Sequence, residues 1–199
     1  MKQLLLATHN PGKIREIRAI LGSLPVNVIS LLDGLDVPEV MEDGATFRSN
    51  ALKKARAVFQ ATGIPTLADD SGLEVRGLHM RPGVHSARFA GEPVSYAANN
   101  NKLLAEMRNI RGVGRRARFR CVVAFVAEEI EKTAEGSCEG TIISELRGQE
   151  GFGYDPLFVP LGYDATFAEL PASVKNRMSH RARALEKIKS ILNGYFRVE

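Results

Sequence analysis

Four consecutive apolar residues, Leu4 to Ala7, stop at Thr8-His9-Asn10-Pro11-Gly12-Lys13, and a helical repeat of Ile14, Ile17, Leu21 and Leu24 begins at once. A buried strand that runs straight into an amphipathic helix is the opening unit of a layered α/β fold. The apolar run is too short to span a membrane, and no small-residue cleavage site follows it. It is therefore read as a strand, and the protein as cytoplasmic.

The alternation continues along the chain. Val26 to Ser30 reads as a short strand, and Asp33 to Gly44 as an acidic loop. Thr46 caps a helix to about Ala61, with Ala51, Leu52, Ala55, Val58 and Phe59 inward. Ile64 to Ala68 and Leu73 to Val75 read as strands separated by a turn, and Arg81 to Pro93 as loop. Ser95 starts a third helix through Met107. Ala117 to Val126 is the longest strand signal, with Phe119, Cys121, Val123 and Phe125 alternating, and Thr133 to Ile143 supplies its hairpin partners. Leu157 to Val159 is a last strand. Ser179 to Leu192 is a closing helix with Ala182, Leu185, Ile188 and Leu192 on one stripe. Strands alternating with helices, plus one antiparallel hairpin, predict an α/β protein with a mixed sheet. The 199 residues suit one large domain over 1–199, or two lobes sharing one core. Cys121 and Cys138 have no metal-ligand spacing and read as buried free thiols.

The net charge of +4 is unevenly placed. From Lys175 to Glu199 there are seven Lys or Arg against two Glu, and Arg111, Arg115, Arg116, Arg118 and Arg120 form a second basic cluster. Such clusters either bind an anionic partner, nucleic acid or nucleotide, or are solvated faces.

Five segments carry chemistry. The loop Thr8 to Lys13 either is a plain Pro-Gly turn or presents helix N–H groups and the Lys13 ammonium to phosphate. Its spacing is not that of the common Gly-x4-Gly-Lys loop. In "ADDSGLEV" two aspartates stand at a strand end; adjacent side chains point opposite ways, so one of Asp69 and Asp70 faces a cleft while the other braces the turn. A carboxylate so placed suits Mg2+ or general-base work, although Asp-Ser-Gly is also ordinary turn chemistry. The acidic loop "PEVMEDG" offers Glu39, Glu42 and Asp43 as a second metal carboxylate, or is simply exposed. In "GFGYDP" the glycines free the backbone to present Phe152 to a base, or Phe152 is core. In "KNRMSHRARAL" Ser179 reads as an N-cap. That places His180 and Arg181 in a first helical turn, where cations oppose the helix dipole and something negative compensates, or where both side chains bend into water.

The motifs "THNPGK", "ADDSGL", "PGVHSARFAG", "GFGYDPLF", "AELP" and "SHRARAL", in this order, closely resemble the inosine triphosphate pyrophosphatase family over Leu5 to about Leu192. The resemblance implies an elongated mixed α/β fold, two lobes with a central substrate cleft, Mg2+ dependence and a homodimer. It implies hydrolysis of inosine, deoxyinosine and xanthosine triphosphates to the nucleoside monophosphate and pyrophosphate. Matched position by position, Thr8, His9, Asn10, Pro11, Gly12 and Lys13 form the triphosphate loop. Asp70 is the catalytic carboxylate and metal ligand, with Ser71 a substrate contact beside it. Phe152, Gly153, Tyr154 and Asp155 form the base-binding segment, and Lys175, His180 and Arg181 complete the substrate contacts. Three positions depart from the family pattern. Met41-Glu42-Asp43 replaces consecutive glutamates, leaving Glu42, or Glu39, as the second metal carboxylate. Ser49 stands for a glutamate and His85 for a tyrosine.

On this reading Mg2+ bridges Asp70 and the phosphates, Asp70 orients a water, Lys13 stabilises phosphate charge and Phe152 stacks on the purine. Arg181, with His180 or Lys175, donates to the base edge and so selects a 6-oxo purine over adenine. The rival readings are a nucleic-acid binder using the basic C-terminal helix and a non-catalytic nucleotide sensor.

Overall fold

The computed structural model of the chain describes residues 2–35, 37, 38 and 40–197. Seven strands hydrogen-bond in the order β2-β1-β3-β5-β6-β7, with β4 on β3. By packing, the chain divides into two compact units: residues up to Asp70 with Cys121–Gly136 and the chain from Arg181 on, and Ser71–Arg120 with Ser137–His180. The fold is mixed α/β, as expected. Among the described residues no helix is long and apolar enough to cross a membrane.

In the first unit β1 (Gln3–Leu6) lies parallel to β2 (Asn27–Ser30) and to the start of β3 (Thr66–Val75). Parallel neighbours require crossovers, and α1 (Pro11–Leu21) and α2 (Phe47–Thr62) provide them. α1 begins at Pro11, whose fixed φ suits a first helical position, and Asn10 caps it. α2 is capped by the Thr46 side chain, which accepts from Ser49 N–H at 3.0 Å. Ser49 Oγ in turn accepts from Thr46 N–H at 3.2 Å, so the serine performs the reciprocal capping a glutamate would. Gly63, at φ +67°, closes the helix onto Phe59 O. The stripes of α1 and α5 (His180–Arg197) meet the sheet: Leu4, Leu6, Ile17, Leu21, Val123, Phe125, Leu185, Ile188 and Leu192 form one buried core. From Cys121 on, β5 (Arg116–Ala127) is buried at every residue, as a strand covered on both faces must be.

The second unit has its own core of Leu73, Val75, Leu103, Met107, Phe119, Phe158 and Phe167. Here β4 (Arg81–Pro82) pairs antiparallel with β3, and β7 (Phe158–Pro160) antiparallel with the end of β6 (Ile130–Ile142). α3 (Tyr96–Glu106), capped by Ser95, and α4 (Ala172–Met178) complete it.

Two expectations are corrected. Residues 66–75 are one continuous strand, not two strands about a turn, so Asp69 and Asp70 sit within β3 rather than at its end. Part of the expected loop at Arg81 to Pro93 is structured, as β4 and a 3-10 helix, Gly83–Arg88. Both cysteines are free and buried.

Candidate active site

Alternation along β3 sends the two aspartates to different partners. Asp69 Oδ2 accepts from Arg181 Nη2 at 2.9 Å and Nε at 3.2 Å, and Lys13 Nζ lies 3.2 Å away. Arg181 also pairs with Glu16 on α1. Burial alone would raise the Asp69 carboxyl, but Lys13, Arg181 and Lys54 around it hold it far below the usual carboxylate range. Asp69 is thus the bracing member of the pair.

Asp70 faces a different set. Its Oδ2 accepts from Asn50 Nδ2 at 2.9 Å. Burial pushes its carboxyl up to about 6, with the Glu42 charge adding to the rise and Lys54 and Lys13 opposing it. Glu42 Oε1 accepts from Lys54 Nζ at 2.8 Å, and the same ammonium donates to Asp69 O at 2.7 Å. Burial works to raise Glu42 as well, but Lys54, helped by Lys13, outweighs it and holds the carboxyl low. The first unit therefore gathers Lys13, Glu42, Lys54, Asp69, Asp70 and Arg181 into one charge network. Glu39, the other possible metal carboxylate, lies outside the described residues.

The opening loop differs from its expectation. The side chain of Asn10 accepts from Gly12 N–H at 2.9 Å and Lys13 N–H at 3.1 Å, while Ile14 N–H bonds Asn10 O. Pro11 has no N–H. The first donors of α1 are therefore taken by its own cap, leaving the Lys13 ammonium and the side chains of Thr8 and His9 as the polar groups of the loop. Thr8 is half-buried, with Oγ1 accepting from Asn10 N–H, and His9 is exposed.

In the second unit, Ser71 is half-buried on β3. Gly151, Phe152 and Gly153 form a turn tied by Phe152 N–H to Asp155 Oδ2 at 2.9 Å. Gly151 has φ +78°, and a Cβ there would sit 2.1 Å from Asp155 Oδ2, so no other residue closes this turn. Asp155 is buried and pairs with Lys175, whose ammonium lies 4.9 Å from the Phe152 ring centroid and 5.4 Å from that of Phe167. Phe152 is half-buried, with Tyr96 6.2 Å from it, ring to ring.

Three expected substrate contacts are buried. Tyr154 is buried in the core, its hydroxyl donating to Ser86 O at 2.8 Å; it anchors the segment rather than presenting a ring. Arg181 is 1 % exposed and ion-paired to two carboxylates, Asp69 and Glu16, so its guanidinium secures Asp69. The compensation expected for a cation in a first helical turn is these two carboxylates. His180 is buried and stacked on Phe119, centroids 4.7 Å apart and planes 14° from parallel.

Sequence reasoning missed Lys54 and Asn50. Both lie on the inward stripe of α2, at 50, 51, 54, 55 and 58, and both are buried. A lysine and an asparagine on an apolar helical stripe were the available signal. At the departures from the family pattern, Met41 and His85 are exposed and Ser49 serves the α2 cap. The basic clusters are also largely accounted for. Lys175 and Arg181 are buried in ion pairs, Arg118 and Arg120 flank Glu74, and Arg115 donates to the carbonyls of Ile142, Met107 and Ile110.

Comparison with known proteins places the chain by sequence and by fold. The dITP/XTP pyrophosphatase of Desulforamulus reducens is 52 % identical over 196 residues, covering 98 % of this chain and 97 % of its own. That of Bacillus subtilis is 47 % identical over 195 residues, 98 % of each. A HAM1 protein from Coxiella burnetii superposes with a TM-score of 0.87 at 38 % identity, over 98 % of this chain and all of that one. The Ham1 family pattern matches residues 4–191, spanning the Lys13 loop, the Asp pair, the Phe152 turn and the start of α5, and the chain belongs to the Ham1 family.

Proposed function

We propose that this protein hydrolyses the triphosphates of deaminated purines, dITP and XTP with ITP, to the nucleoside monophosphate and pyrophosphate, clearing them from the cytoplasmic nucleotide pool. The observation that carries the reading is the buried Asp70 carboxylate, raised toward neutrality and set among Lys13, Lys54 and Glu42, in a chain half identical to named dITP/XTP pyrophosphatases. A buried carboxylate poised near neutrality is what a general base requires.

The donor set fits Mg2+. Asp70 and Glu42 are hard oxygen donors that would hold the ion, and their mutual repulsion contributes to the raised Asp70. Two protein carboxylates, with water and substrate phosphate filling the shell, are the usual complement for this ion. When bound, Mg2+ supplies charge neutralisation for the phosphate oxygens.

The chain's own groups do the rest. Asp70 accepts a proton from the attacking water. The water oxygen bonds to the α-phosphorus, the bond from α-phosphorus to the bridging oxygen breaks, and pyrophosphate leaves with that electron pair. Lys13, held by Asp69, presents a fixed positive charge to the phosphates. Lys54 keeps Glu42 in place. Phe152 offers a ring face for the purine.

The test is a panel of common and deaminated nucleoside triphosphates with and without Mg2+, scoring pyrophosphate and orthophosphate separately. Pyrophosphate from dITP and XTP, lost on chelation, is the expected result. Binding without pyrophosphate release would identify a sensor instead. The family resemblance also brings a homodimer into the proposal, which sedimentation of the purified protein tests.

A further inference from the structure

We propose that Asn50 is the positioning residue that sets Asp70 and the Glu42 loop in mutual register; the inference rests on the function proposed above. Asn50 is 1 % exposed, in the first turns of α2. Its Nδ2 donates to Asp70 Oδ2 at 2.9 Å, and its Oδ1 accepts from Gly44 N–H at 2.7 Å, with a longer Nδ2 contact of 3.5 Å to Gly44 O. One planar amide therefore grips a strand carboxylate with its donor and a loop backbone with its acceptor. The partners fix which way the amide faces, because a carboxylate needs a donor and an N–H needs an acceptor.

Gly44 closes the loop that carries Glu42 two residues earlier. One helical turn along α2, Lys54 bonds Glu42 itself at 2.8 Å. Positions 50 and 54 share a helical face, so a single rigid helix holds both carboxylates. Gly44 has no room for a side chain: a Cβ there would lie 2.6 Å from Asn50 Oδ1 and 2.4 Å from Ser49 Oγ. Adding one would displace Asn50 and open the grip. Neither asparagine nor glycine touches substrate in this account; each acts through the two carboxylates.

The test uses Asn50→Ala, Asn50→Asp and Gly44→Ala. Asn50→Asp keeps an acceptor for Gly44 N–H but replaces the donor to Asp70 by a carboxyl oxygen, so it breaks the strand arm and adds a like charge beside Asp70. Mn2+ binding to the nucleotide-free protein is read by electron paramagnetic resonance, and turnover of dITP at saturating Mg2+ is measured alongside. Asn50→Ala and Gly44→Ala should weaken Mn2+ binding roughly 10- to 100-fold, the scale for groups that orient metal ligands. In all three variants kcat should fall about 10-fold or more, with KM for the nucleotide within about threefold. A merely structural residue would lower the melting temperature and leave Mn2+ affinity and kcat unchanged below it, which would overturn the inference. If Asn50→Ala does not fold, unaltered turnover in Asn50→Asp overturns it equally. An unmodified protein that binds no Mn2+ and turns over no dITP would overturn the functional reading, and the inference with it.

Discussion

Asp69 and Asp70 are chemically identical neighbours whose surroundings drive their acidities in opposite directions. At Asp69 the surrounding cations win over burial, whereas at Asp70 burial and the Glu42 charge outweigh Lys54, Lys13 and the Asn50 amide. The price of that placement is stability. A carboxyl raised from 3.8 to about 6 favours the folded state fully below its unfolded pKa and loses that contribution as pH climbs through 6. At pH 8 in the absence of metal the deficit is about 3 kcal/mol. Asp70→Asn keeps the shape and removes the charge. In EDTA it should melt above the parent at pH 8, and the gap should close by about pH 4. The same variant should lose roughly 10²-fold or more in dITP turnover, the scale for a positioned acid–base group. Near-normal activity would eliminate Asp70 as the base. On the proposed function Lys13 meets phosphate charge that is present in ground and transition states alike, so Lys13→Ala should raise KM more than it lowers kcat. A collapse of kcat at constant KM would place Lys13 on the leaving group instead.

At the scale of elements, the start of α5 is defined by one side chain. Arg181→Met would leave Asp69 and Glu16 as buried carboxylates without their shared cation, a loss of about 3–5 kcal/mol by urea unfolding at neutral pH. Asp69 is held low in the fold, so its contribution is present above its unfolded pKa of 3.8 and fades as pH falls below it. The deficit should therefore narrow in acid. A deficit constant from pH 3 to pH 8 would mean that only the packing of the arginine stem was lost. These partners also explain what was legible. The periodic runs of α1, α2, α3 and α5 were readable because each packs a stripe of its own sequence. β3 was not, because Asp-Asp-Ser-Gly has the composition of a turn. Its extended form is supported by Arg181, 112 residues from Asp69, and by Asn50, 20 residues from Asp70, which no local window contains. α4, at seven residues, gave no amphipathic repeat to recognise.

At the scale of the molecule, the candidate site was legible as a set of motifs but not as a set of roles. The position of Asp70 beside Lys54 and Lys13, the burial of Tyr154 against Ser86 and the pairing of Arg181 with Asp69 and Glu16 all depend on residues far apart in sequence. The uneven charge was equally ambiguous until Lys175 and Arg181 proved to be buried in ion pairs. On the proposed function, the donors to the base edge are Lys175, whose ammonium lies over the Phe152 ring and pairs with Asp155, and Arg181, paired with Asp69 and Glu16; both are buried in ion pairs, so either must turn a donor to the base as it binds. Lysine has donors and no acceptor. Hypoxanthine and xanthine carry an acceptor oxygen at position 6, where adenine carries an amino donor. Adenine would oppose donor to donor away from water and leave both unpaired, whereas a 6-oxo purine satisfies both. A site built around such a pairing rejects the mismatch by about 10⁴-fold. The ratio of kcat/KM for dITP to that for dATP should therefore be of that order, and XTP should resemble dITP. Phe152→Ala should slow both nucleotides alike, because stacking is blind to the 6-substituent. Equal kcat/KM for dITP and dATP in the unmodified protein would sink both the donor pairing and the deaminated-purine specificity built on it.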